Sequence, residues 1–96
     1  MKDTIYDHYI AIDWSIKNMA IARITKKSNK ITAIDVPSDI EDLQAYLKNL
    51  RGTKILAIEE TTTSQWLYAE LKEDVDHCEV VVSSIANILV PLRFFK

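Results

Sequence analysis

Apolar and polar positions along the chain follow two periods in turn. Residues Tyr9-Ile10-Ala11-Ile12-Asp13-Trp14 form a short, apolar, partly β-branched run with a polar stretch after it, which predicts a buried strand. Ser15-Ile16-Lys17-Asn18 reads as a turn, residues 19–25 as a second strand, residues 26–30 as a polar turn, and residues 31–36 as a third strand. Turns this short predict an antiparallel meander, because parallel neighbours need a long crossover.

After Pro37 the period becomes helical. Ser38 and Glu41 have the spacing of a capping box, Ile40, Leu43, Leu47 and Leu50 make one apolar stripe, and Gly52 stands where a helix C-cap glycine would. Residues 54–59 are a continuous apolar run, the signature of a central strand covered on both faces. Thr62 and Gln65 suggest a second capping box within an N-cap-rich cluster, and Leu67, Leu71 and Val75 mark the buried side of the helix it opens. Residues 78–82 read as a fifth strand, and Ser83-Ser84 as the cap of a further element over residues 85–90, limited by Pro91. The order β-β-β-α-β-α-β predicts an α/β fold: a mixed five-stranded sheet with an antiparallel edge, right-handed crossovers and helices packed on it.

Composition narrows the function classes. A chain of 96 residues, 48% hydrophobic and 27% charged, has room for one small core. No window has the length of apolar sequence that a membrane span needs, and the start Met1-Lys2-Asp3-Thr4 does not read as a signal peptide. Cys78, the single cysteine, has no partner for a disulfide; it reads as a small strand residue, and a reducing, cytoplasmic setting is expected. The net charge of −2 means that the domain as a whole lacks the basic surface with which proteins grip nucleic acid.

Two carboxylates then stand out. Asp13 closes the first strand and Glu59 the fourth, positions where a charge is costly without a partner. If those strands are parallel neighbours, both acids emerge at the carboxyl edge, where open α/β sheets place their sites, and a divalent cation such as Mg²⁺ or Mn²⁺ would relieve their repulsion. Simpler roles stay open: Asp13 can bond its own turn, and Glu59 can favour the positive end of the next helix. Trp14 can stack on a base or pack under a helix, Trp66 should be partly buried, and the Lys26-Lys27-Lys30 cluster is a phosphate contact or a solvated hairpin tip.

The segment Tyr9-Ile10-Ala11-Ile12-Asp13-Trp14-Ser15, with Ala20-Ile21-Ala22 after it, resembles the opening of the DEDD-type insertion-sequence transposases and Piv-type DNA invertases, whose N-terminal domain is RNase H-like (RuvC-like). Ile58-Glu59-Glu60-Thr61 falls where that family has an apolar strand ending in Glu, a small residue and Thr, and Val80-Val81-Val82-Ser83-Ser84 with Asn87 resembles its next segment. The likeness runs from about Tyr9 to about Asn87. It departs from the pattern at Glu60, which crowds a second charge beside Glu59, at Thr62-Thr63 in place of glycine, and in the lack of any aspartate after Asp76.

The resemblance implies an RNase H-like domain with Asp13 and Glu59 as catalytic metal ligands. It implies a parent activity of Mg²⁺-dependent DNA strand cleavage and joining in transposition or site-specific inversion, with DNA and in some relatives a guide RNA as partners. Four carboxylates and a further serine-bearing domain belong to that pattern. With two of the four, residues 1–96 read as a single incomplete domain that binds a metal ion weakly and does not cut alone. Two rival readings remain. Actin-like kinases and ATPases share the strand-ending Asp but need glycine-rich phosphate loops, and this chain has one glycine. A degenerate RNase H-like module for self-association or RNA/DNA binding is the other, with the apolar tail, residues 88–96, as its expected contact between copies.

Overall fold

A computed structural model of the protein describes residues 6–26 and 30–82. Among the described residues there are five strands: β1 (His8–Trp14), β2 (Asn18–Thr25), β3 (Ile31–Pro37), β4 (Lys54–Glu59) and β5 (His77–Val81). Helix α1 (Ile40–Asn49) joins β3 to β4, and α2 (Ser64–Leu71), continued by a 3-10 turn over Lys72–Asp74, joins β4 to β5. The strands form one sheet in the order β3-β2-β1-β4-β5. β1–β2 and β2–β3 are antiparallel, whereas β1–β4 and β4–β5 are parallel. A mixed five-stranded sheet in this order, with helices packed on it, is the RNase H-like, RuvC-like topology. The predicted element beyond Ser83, Asn87, the apolar tail and Lys27 lie outside the described residues.

The alternation along each strand sorts side chains onto two faces. Ile10 and Ile12 of β1, Met19 and Ile21 of β2, and Leu56 and Ile58 of β4 point to one face and pack against Leu43 and Leu47 of α1 and Leu67 and Leu71 of α2. Both helices therefore bury their apolar stripes on the same side of the sheet, and all ten of these side chains are nearly or wholly sealed from water. Each contributes ~1.5–3 kcal/mol of transfer free energy, which makes this layer the main source of stability. On the other face Tyr9, Ala11, Ala22 and Ile24 form a smaller cluster. Two aromatic rings extend the helix side: Trp14 packs against the core and meets Trp66 edge-on at 5.7 Å, so its packing role holds, while Trp66 stays 45% exposed.

Three local expectations are corrected. The N-cap of α1 is Asp39, not Ser38: the Asp39 side chain accepts from the Asp42 backbone N–H at 3.0 Å. Ser38 is still in extended pairing, its N–H donating to the Lys17 carbonyl, and its hydroxyl donates to the Ser15 carbonyl at 2.6 Å. It ties the start of the helix to the β1–β2 turn instead of capping. The Thr62/Gln65 box does not form either. Thr63 is the N-cap of α2 and its side chain bonds no helix N–H; Ser64 folds back to donate to the Thr61 carbonyl at 2.9 Å. Finally, α1 ends at an extended Leu50, so Gly52 is not its cap residue. Gly52 instead adopts φ +103° beneath the Asp7 carboxylate.

That carboxylate fastens β1 to the loop before β4. Asp7 Oδ2 accepts from the Thr53 backbone N–H at 2.9 Å, and the Asp7 N–H donates to the Thr53 hydroxyl at 3.0 Å. The Thr53 backbone bond, assisted by Lys26 at 3.4 Å, holds the Asp7 carboxyl below its usual range. Beside it, Arg23 donates from Nε to the Tyr46 hydroxyl and from its terminal nitrogen to His8 Nδ1, at 3.1 and 3.2 Å. An arginine only donates and a carbonyl only accepts, so the 2.8 Å contact of His8 Nε2 with the Arg51 carbonyl fixes the Nε2–H tautomer. These bonds sit at the amino edge of β1, leaving the carboxyl edge to the acids.

Candidate functional site

β1 and β4 run parallel with Ile12 opposite Ile58. Continuing that register by one residue sets Asp13 opposite Glu59. Their neighbours Ile12 and Ile58 point into the helix-side core, so period two sends both carboxylates to the other face, at the carboxyl edge of adjacent strands. Asp13 is exposed and Glu59 partly buried. Desolvation first, and the negative charge of Asp13 second, raise the Glu59 carboxyl above its ordinary range. The charge Glu59 responds to is that of Asp13 on the adjacent strand. The next residue, Glu60, donates its backbone N–H to the Val81 carbonyl at 2.7 Å.

A third acid lies in the same transverse row. Asp13 pairs with Ala20, and Ala20 pairs with Asp35 on β3. Asp13 and Asp35 line an open cleft of about 510 Å³ together with Ser15, Asn18, Ala20 and Ala33. Sequence reasoning placed residues 31–36 on a strand but gave Asp35 no role, since only the register shows that it shares a row with Asp13. The row does not amount to a ligand cage. Among the described residues no three His, Cys, Asp or Glu side chains come close enough together to hold a metal ion. Ser15 is committed to its turn, its hydroxyl donating to the Asn18 carbonyl at 2.5 Å.

The donor chemistry fits a hard divalent cation in one respect: two carboxylates on adjacent strands, one of them made harder to ionise by desolvation and then by the other's charge, gain from a shared positive charge. Other candidates do not join the site. Cys78 packs on the helix-side core, and burial, with Glu79 adding to it, pushes its thiol up to about 11, so it is an unreactive strand residue. His77 bonds its neighbour Glu79 at 2.8 Å. Lys26 is exposed and pairs with Asp7 at the amino edge, far from the carboxylate row.

The raised Glu59 carboxyl gives a signed prediction. Because the folded protein holds that proton more tightly than the unfolded chain, Glu59 is least unfavourable at acid pH, and its cost to stability appears as pH rises through its folded pKa. Glu59→Gln should therefore stabilise the metal-free protein at pH 7 by roughly 0.3 kcal/mol after solvent screening, about 1–2 °C in Tm, and the gain should vanish at pH 3. Thermal unfolding of both proteins at the two pH values measures it; equal gains at both would show that charge is not the cause.

No protein-family model matches the chain, and no curated protein matches it. No helix among the described residues is long and apolar enough to cross a membrane.

Proposed function

We propose that this chain is a metal-binding domain of a nucleic-acid-processing enzyme, of the DEDD transposase and invertase kind, with Asp13 and Glu59 as its metal ligands. The observation that carries the reading is the meeting of these two acids on one face at the carboxyl edge of adjacent parallel strands. Two further features support it: the RNase H-like topology, and the resemblance of the segments around Asp13 and Glu59 to that family's motifs. Asp13 and Glu59 would hold Mg²⁺ or Mn²⁺, which when bound supplies Lewis-acid stabilisation of charge on phosphoryl oxygens. The side chains themselves orient the ion, and the cleft toward Asp35 leaves one side open for a phosphodiester strand. DNA, with or without a guide RNA, is the substrate class this reading assigns.

The same site carries a second reading. Two converging carboxylates are few for a two-ion centre, and no third His, Cys, Asp or Glu among the described residues joins them. A domain that binds one ion weakly without cutting, and serves to recognise nucleic acid, fits that count. Mn²⁺ titration followed by electron paramagnetic resonance tests the site directly. Weak binding, with a dissociation constant on the order of 0.1–1 mM for one or two carboxylates plus water, is expected, weakening at least tenfold in Asp13→Asn. Binding unaffected by Asp13→Asn would sink the assignment. Incubating the chain with Mg²⁺ and single- and double-stranded DNA then separates the readings: cleavage abolished by Asp13→Asn establishes an enzyme, and binding without cleavage the recognition module.

A further inference from the structure

We infer that the outer edge of β3 pairs antiparallel with β3 of a second copy of this chain, about a two-fold axis at Ile34, to give a continuous sheet across the dimer. β3 is the first strand in the sheet order, so no described strand bonds its outer side. Its seven residues are nearly all exposed, including Ile31 at 42% and Ile34 at 45%. The guards of this edge are few: β3 has no lysine, arginine or glycine, its proline is its last residue, and Asp35 is its one charged residue.

The hydrogen-bond phase of the strand determines which backbone groups are on offer. Ser38 N–H donates to the Lys17 carbonyl, so residues 17 and 38 are a hydrogen-bonded pair. Alternation then makes Met19–Val36, Ile21–Ile34 and Arg23–Thr32 bonded pairs as well. The β1 side of β2 agrees, because Ser15 bonds Asn18 and Lys26 bonds Asp7, which leaves the even residues of β2 to β1. Thr32, Ile34 and Val36 therefore spend their backbone groups inside the sheet, while those of Ile31, Ala33, Asp35 and Pro37 point outward. Pro37 lacks an N–H on the very side where none is needed for the fold.

A two-fold axis at Ile34 uses this outward set fully. The N–H groups of Ala33 and Asp35 in each copy meet the carbonyls of Asp35 and Ala33 in the other, and the Ile31 N–H meets the Pro37 carbonyl. Every outward donor is satisfied. Ile34 faces Ile34 of the second copy at a non-hydrogen-bonded position, where side chains approach most closely, and Thr32 faces Val36, so β-branched residues oppose one another. The unfavourable pair is Asp35 with its counterpart, diagonal neighbours on the open face, so salt should strengthen the dimer. One strand pair is a small interface, and the association is of the weak, concentration-dependent class. Because the strands are antiparallel, the two carboxyl edges face opposite ways and each copy keeps its own Asp13–Glu59 pair.

Amide exchange by NMR at about tenfold-different protein concentrations tests the pairing. The amides of Ile31, Ala33 and Asp35 should gain protection at the higher concentration, while those of Thr32, Ile34 and Val36 stay protected at both. In a Cys78→Ser background, Ile34→Cys should oxidise to a disulfide-linked dimer and Thr32→Cys should not, since Thr32 faces Val36 and not itself. Ile34→Lys should lose the concentration dependence, with circular dichroism showing the fold kept. If the three outward amides are protected equally at both concentrations, something within the monomer already covers the edge and the proposal fails. If they are unprotected at both, or if Thr32→Cys crosslinks as readily as Ile34→Cys, it fails too.

Discussion

Gly52→Ala should destabilise the fold by about 2–4 kcal/mol, a large part of the ~5–15 kcal/mol available to a domain of this size. Two costs combine. The φ of +103° at Gly52 is a conformation that side chains rarely adopt. A Cβ there would also stand 2.9 Å from Asp7 Cβ and 2.8 Å from Asp7 Cγ, so relief needs more than rotation of the carboxylate tip. Moving Asp7 breaks its bonds with Thr53 and its contact with Lys26, which fasten β1 to the loop before β4. Urea unfolding of wild type, Gly52→Ala, Asp7→Gly and the double variant separates the two costs. The steric part should disappear in the Asp7→Gly background, which removes the Asp7 Cβ as well as its carboxylate, and leave the backbone part, about 1–3 kcal/mol. A Gly52→Ala variant as stable as wild type would mean that the loop takes another path in solution.

Ile58→Ala should cost about 2–5 kcal/mol and lower Tm by ~10 °C or more. Ile58 is fully buried on the interior strand β4, paired with Ile12 on one side and Val80 on the other. Removing its side chain leaves a cavity against α2 that the sheet, held by ladders on both sides, closes only in part. The residue also sits directly before Glu59, and the effect on metal binding is expected to be small in whatever fraction stays folded, because the backbone ladder and not the Ile58 side chain sets the Asp13–Glu59 register. Calorimetry for stability, beside Mn²⁺ titration at a temperature where the variant is folded, checks both halves. A large loss of Mn²⁺ affinity in the folded variant would show that packing beneath the strand aims Glu59.

Much of the fold is legible in the chain because it rests on local periods. Alternating or continuous apolar runs mark all five strands to within a residue or two, and the Leu43/Leu47 and Leu67/Leu71 spacings mark the buried sides of both helices. Helix ends are less legible, because capping depends on where the preceding strand stops. Ser38 has the right chemistry for a cap, but it is held by β2 pairing, and the role passes one residue on to Asp39. Gly52 has the right spacing for a C-cap, but its conformation answers to Asp7, distant in sequence.

For the candidate site, the sequence by itself singled out Asp13 and Glu59, because a charge at the end of an apolar run is conspicuous in any chain. Their meeting was conditional on the first and fourth strands being parallel neighbours, and only the tertiary structure decided that, through the β1–β4 ladder. It also decided what no local pattern encodes: that Asp35 shares their row and that Glu59 responds to the charge of Asp13. The physical reason is the same in each case. Period and composition fix which face of an element is apolar, whereas long-range pairing fixes which residues of different elements stand side by side.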